Sequence, residues 1–159
     1  MSHPNTQLLE TFYAAFARYD AGAMGACYAD DVRFSDPVFP HLEGDSARGM
    51  WRMLCARGAD VKLRIEPSGI SADETSGRAH WDAFYVFSVT GRPVHNKIDA
   101  SFTFRGGRIV QHTDAFDLWA WCGMALGPTG RLFGWFPPLQ NTVRKRADGD
   151  LRKFLAKGR

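Results

Sequence analysis

The chain has 159 residues, of which 45% are apolar, 23% charged and 13% aromatic, with a formal charge of +3. That is the size and make-up of one globular domain able to bury its own core. Three widely spaced cysteines (Cys27, Cys55, Cys122) argue against a disulfide framework, and without a C-x-x-C pair they argue against a zinc knuckle. Met1–Gln7 is too polar for a secretory leader, and no run is long enough to span a bilayer, so a cytoplasmic location is expected. The charge is uneven: residues 144–159 hold seven bases and two acids, leaving residues 1–143 at about −2. A body without a basic stripe gives no reason to expect a nucleic-acid partner.

Leu8, Leu9, Phe12, Tyr13 and Phe16 recur at helical spacing, with Asn5 or Thr6 as the expected cap. Asp20 can cap a second short helix that turns Met24, Cys27 and Tyr28 inward. Val32–Phe39 reads as a strand broken at Asp36-Pro37, because proline cannot donate to a ladder. A third helix is expected over Ser46–Arg57, capped by Asp45 and stopped by Gly58. The period then changes to two. Strands are expected over Val61–Pro67, Arg78–Thr90, Pro93–Arg105 and Arg108–Leu118, with turns at Ser76-Gly77, Thr90-Gly91 and Gly106-Gly107. Helices first and strands after indicate an α+β fold with an antiparallel sheet. Leu118–Leu126 can form a short closing helix. The aromatic stretch Arg131–Val143 and the basic stretch Arg144–Lys157 read as two further helices packed on the body. Residues 1–126 are thus expected to form the domain and 127–159 an extension of it. Contact of the basic tail with a membrane is the less favoured reading.

Alternate residues of a strand share a face. On Pro93–Arg105 one face is Val94, Asn96, Ile98, Ala100, Phe102 and Phe104, which is the interior. The other, with His95, Lys97 and Asp99, faces outward and can serve a subunit contact. Two neighbouring strands carry like rows: His80-x-Asp82-x-Phe84 and His112-x-Asp114-x-Phe116. Either these rows face solvent, as polar rows commonly do, or they converge on one hollow. In the second case four titratable groups beside aromatic residues form a candidate site.

The run Tyr13-Ala14-Ala15-Phe16, the segment Tyr28–Val38 (YADDVRFSDPV), and Gly106–Val110 followed by Asp114–Asp117 resemble the nuclear transport factor 2-like superfamily, in its SnoaL-like branch. That branch includes ketosteroid isomerases, polyketide cyclases and limonene-epoxide hydrolase. The resemblance implies a cone-shaped curved antiparallel sheet wrapped by helices around a deep pocket, and a homodimer through the outer sheet face. It aligns Asp36 with the proton-shuttling aspartate of the isomerases. Their two oxyanion-hole donors align with Phe12 and Ala100, which cannot donate. Against the epoxide hydrolase, Asp114 falls on the water-activating aspartate and, with one residue inserted before Thr90, Asp82 falls on the epoxide-protonating acid. His80 then stands for the arginine between them, Asp36 for a water-holding asparagine, and Phe34 for a water-holding tyrosine.

The expected function is therefore acid–base chemistry on, or binding of, a small apolar or amphipathic molecule, of isomerase or hydrolase type. Asp36, His80, Asp82, His112 and Asp114 are the candidate catalytic groups. Phe12, Phe34, Trp51, Phe84, Asn96, Ile98, Phe102 and Phe116 are the candidate contacts. The alternative is a non-catalytic ligand-binding or interaction module. A metal held by His80, Asp82, His112 and Asp114 is the least favoured option, and no cofactor is expected.

Overall fold

The computed structural model describes residues 2–158. Helix α1 (Pro4–Ala17) buries Leu9, Phe12, Tyr13 and Phe16. His3 caps it, its Nδ1 accepting from the Asn5 N–H at 3.0 Å. Asn5 and Thr6, the caps expected from sequence, lie within the first turn and reach across to the sheet instead. Asn5 Nδ2 donates to the carbonyls of Asp73 and Glu74, and Thr6 Oγ1 to that of Ala72. Helix α2 (Ala21–Ala26) is capped by Asp20, which accepts from the Ala23 N–H. Strand β1 (Tyr28–Ser35) follows and takes Tyr28 with it, earlier than the hydrophobic spacing implied. It stops at Asp36-Pro37. After a two-residue strand β2 (Leu42–Glu43) comes α3 (Asp45–Arg57), whose cap position is Gly44 at φ +52° rather than Asp45.

Strands β3 (Arg64–Ala72), β4 (Ser76–Phe87), β5 (Arg92–Arg105) and β6 (Arg108–Ala115) complete one curved, open sheet in the order β2-β1-β6-β5-β4-β3. All its pairings are antiparallel except β1 with β6, which run parallel. The concave face is covered by α1 and α3 through Phe12, Phe16, Met50 and Trp51, all essentially inaccessible.

Two registers position the site. Along β4–β5, Trp81 pairs with Ile98 and Ala83 with Asn96, so the odd residues of β4 share the inner face with the even residues of β5. Along β5–β6, the pairing starts as Arg105 with Arg108 and Phe104 with Ile109. It then shifts by one, to Thr103 with Gln111, Phe102 with His112 and Ala100 with Asp114. Val110 is the extra residue of this bulge, and both Ile109 and His112 point inward across it.

Three helices close the molecule: α4 (Leu118–Leu126), capped by Asp117, α5 (Pro128–Phe133) and α6 (Pro137–Lys157). The basic stretch Arg144–Lys157 is thus the last two thirds of one 21-residue helix. It lies on α3, where Gly49 leaves space for Leu155: a methyl group at Gly49 would sit 2.3 Å from Leu155 Cδ2. Leu151 is fully covered there, and Arg144 Nε donates to the Pro37 carbonyl at 2.8 Å.

Candidate active site

The concave face and α6 enclose a cavity of about 560 Å³, within the usual range for a small organic ligand. Its wall is apolar over most of its area: Phe16, Met50, Leu63, Ala83, Ile98, Phe116, Leu139 and Val143 contribute. Polar side chains interrupt it: Asp36, Tyr85, Asn96 and Asp114 on the sheet side, and Arg57, Ser88, Thr142, Arg146 and Asp150 elsewhere on the lining.

Asp114 stands at the end of a buried row of donors. The Trp51 indole N–H can only donate, and does so to the Tyr28 hydroxyl oxygen at 2.8 Å. The Tyr28 proton is then free to point at His112 Nδ1, 2.7 Å away. That makes Nδ1 an acceptor and leaves the proton of a neutral imidazole on Nε2, which donates to Asp114 Oδ1 at 2.8 Å. His112 has no solvent exposure and Asp114 has 3%. The imidazole lies 4.3 Å from the Phe102 ring and 5.0 Å from Phe34, and stacks parallel to Trp51 at 5.9 Å. His112 is therefore clamped on every side, and the one atom it orients is the carboxylate facing the cavity.

Asp36 sits at the exit of β1. Its Oδ1 accepts from the N–H groups of Val38 (2.7 Å) and Phe39 (2.6 Å), which fixes the turn made by Pro37. Burial pushes its carboxyl up to about 7 and the negative charge of Asp114 adds to the shift, with those two N–H bonds opposing it. The wall thus carries two unlike carboxyls, one oriented by an imidazole and one that binds its proton near neutrality. Tyr85, raised to about 12 by burial, accepts from the Trp121 N–H at 2.6 Å. The Asn96 amide has no hydrogen-bond partner among the described residues and lines the same cavity.

The expected convergence of the two His-x-Asp rows does not occur. His80, Asp82 and Phe84 lie on the outer face of the sheet, because the β4–β5 register turns Trp81, Ala83 and Tyr85 inward. There they join the outward row of β5. Asp99 bonds His80 Nδ1 at 2.8 Å, His80 Nε2 bonds Asp82 at 2.5 Å, and the other Asp82 oxygen bonds His95 at 2.7 Å. With a carboxylate at each ring nitrogen, His80 is a double donor. Its pKa is raised, chiefly by the hydrogen bond to Asp99, and that of Asp82 is lowered, chiefly by His95. Phe84 is sandwiched between the His95 ring (4.1 Å) and the Arg64 guanidinium (4.0 Å). The four residues considered as a metal set are therefore split between two faces, and no group of three ligating side chains occurs among the described residues.

Of the expected contacts, Asn96, Ile98 and Phe116 line the cavity. Phe12, Phe34, Trp51 and Phe102 do not: they form the aromatic cage behind it, around His112. His112 itself acts from behind Asp114. The sequence reading missed Tyr28, Tyr85 and Trp81. The spacing places the first on a helix, and the other two lie on the face of β4 opposite the His80-Asp82-Phe84 row.

A bent open sheet with helices across its concave face and a carboxylate-bearing cavity between them defines the nuclear transport factor 2-like class of α+β proteins. Within it the chain belongs to the SnoaL-like domain family, whose model matches residues 9–112. That match ends two residues short of Asp114 and leaves α4–α6 outside. Among solved structures the chain is similar to a putative polyketide cyclase from Xanthomonas campestris pv. campestris, with 26% identity, a TM-score of 0.62, and 76% of this chain and 96% of that one covered. It has the fold of an epoxide hydrolase of limonene-epoxide-hydrolase type from M. tuberculosis (19% identity, TM-score 0.62, 84% and 96% covered). It also has that of a hypothetical protein with a ketosteroid isomerase-like fold from Catenulispora acidiphila (14% identity, TM-score 0.62, 76% and 93% covered). No curated protein matches the chain.

Proposed function

We propose that the chain is a proton-transfer enzyme acting on a small, mostly apolar molecule that carries a carbonyl or epoxide oxygen. The observation that carries this reading is the pair of unlike carboxyls on one apolar wall. Asp114, oriented by His112, removes a proton from a substrate carbon or from a water beside it. Asp36, raised to about 7, is protonated over much of the neutral range and donates to the oxygen on which charge develops. Asn96 supplies a further hydrogen bond to that oxygen. Tyr28 and Trp51 are positioning residues that hold the His112 tautomer.

The similarity to a polyketide cyclase and the fold shared with an epoxide hydrolase support the same chemistry, since both reactions move protons at an oxygen-bearing apolar skeleton. The test is a panel of cyclic ketones, polyketide-like β-diketones and terpene epoxides, screened first by thermal shift and then by product analysis. Asp114→Asn keeps an acceptor for His112 and should cut turnover by about 10²–10⁴-fold while the fold survives. A stabilising compound recovered unchanged from the wild type would instead mark the cavity as a binding site without chemistry. Full turnover by the Asn variant would reject Asp114 as the base.

A further inference from the structure

The closing helices carry a feature that the cavity chemistry does not use. Five large apolar side chains of one region stand in solvent: Trp119 (49% exposed), Leu132 (66%), Phe133 (50%), Trp135 (53%) and Phe136 (44%). The sequence pattern suggested that this stretch packs on the body. The cause of the difference is a glycine face. Gly130 and Gly134 lie against α4, and Gly127 at the start of α5 lies against the Arg92 side chain. A methyl group at Gly130 would sit 1.8 Å from the Cys122 carbonyl oxygen, and one at Gly134 would sit 2.8 Å from Cys122 Cβ. With glycine turned inward, Leu132 and Phe133 are turned out. The Trp119 N–H donates to the Arg131 carbonyl and the Trp135 N–H to that of Leu132, so the patch is tied together and held on a rigid base.

Its electrostatics are one-sided. From Leu118 to Ala147 there is no acidic residue, while Arg131, Arg144, Lys145 and Arg146 all fall in that span. Arg131 and Arg92 also line a shallow groove beside Trp119, with Asp117 as the acid there. Two copies apposed through this region would bring cation against cation.

We propose that this patch is a docking surface for an anionic lipid bilayer. Trp119 and Trp135 sit at headgroup level, Leu132, Phe133 and Phe136 reach the acyl boundary, and Arg131 faces lipid phosphates, while Arg144 is held by the Pro37 carbonyl and Arg146 lines the cavity. No helix of the described residues is long and apolar enough to cross a membrane, so the contact is peripheral. Leu139, Thr142 and Val143, one to two turns further along α6, line the cavity. The same helix therefore joins the membrane contact to the ligand site. The docking inference stands on the patch alone and is independent of the chemistry proposed above.

The experiment is co-sedimentation of the full chain with phosphatidylcholine vesicles, with and without phosphatidylserine, at low and high salt. Binding is expected to need the anionic lipid and to weaken with salt. Arg131→Gln should weaken it about fivefold. The double change Trp135→Ser, Phe136→Ser should weaken it about a hundredfold with only a small drop in melting temperature, since both side chains are about half exposed. In the wild type, brominated acyl chains should quench part of the tryptophan fluorescence, leaving the buried Trp51, Trp81 and Trp121 unaffected. Failure to bind any vesicle, binding that survives the double change, or a dimer that the same double change dissociates in lipid-free solution would overturn the proposal. The last result would assign the patch to protein contact.

Discussion

Replacing Asp36 by Asn removes a charge and little else. The amide oxygen still accepts from the Val38 and Phe39 N–H groups, so the turn is retained. In the wild type the carboxyl has an ordinary value of about 4 in the unfolded chain and about 7 in the fold, raised by burial and then by Asp114. Over that interval the native state holds a proton that the unfolded chain has released. The wild type therefore keeps the full contribution below about pH 4 and loses it as pH rises through 7. A shift of about three units at about 1.4 kcal/mol each is about 4 kcal/mol, and water reaching a partly exposed carboxyl lowers this to about 2–4 kcal/mol. Urea unfolding of both proteins at closely spaced pH values measures it. Groups common to both cancel in the difference, so the Asn variant should gain about 2–4 kcal/mol on the wild type between pH 4 and 8. A flat difference would mean that Asp36 is ionised throughout, and it would then be no proton donor.

The same titration should place a falling limb near pH 7 in the rate profile, absent from the Asp36→Asn variant, as read by initial rates on any substrate the panel yields. Tyr28→Phe strips the partner from both the Trp51 N–H and His112 Nδ1, which are buried. Two unpaired groups should cost about 2–4 kcal/mol in urea unfolding, and a loss near zero would show that the row of donors is not held as described. His80→Ala should leave turnover unchanged, because His80 faces away from the cavity. A large rate loss without loss of fold would return it to the mechanism.

The order of helices and strands was legible because hydrophobic period and turn residues are local. The inner face of β5 was legible for the same reason: five of its six residues are apolar. The outward turn of His80 and Asp82 was also within reach. Any turn of even length around Thr90-Gly91 pairs odd positions of one strand with even positions of the next, so Trp81 and Ala83, and not His80 and Asp82, share a face with Ile98; in the structure four residues separate Phe87 from Arg92. The caps of α1 and α3 were not legible. Asn5 and Thr6 have partners about seventy residues away, and Gly44 caps by conformation instead of by its side chain.

Asp114 lies on the cavity wall, a placement that strand alternation alone does not guarantee. The turn at Gly106-Gly107, followed without interruption, would pair Phe102 with Gln111 and send His112 and Asp114 into solvent. The bulge at Val110 reverses this. Local sequence set the strands, the turns and the apolar faces, since these depend on neighbours within a few positions. Which face the last strand offers to the cavity was decided only when the sheet, α1 and α3 closed around His112. Burying an imidazole with two hydrogen-bond partners and an aromatic cage is a property of the packed molecule, and it selects the register that a strand alone leaves open.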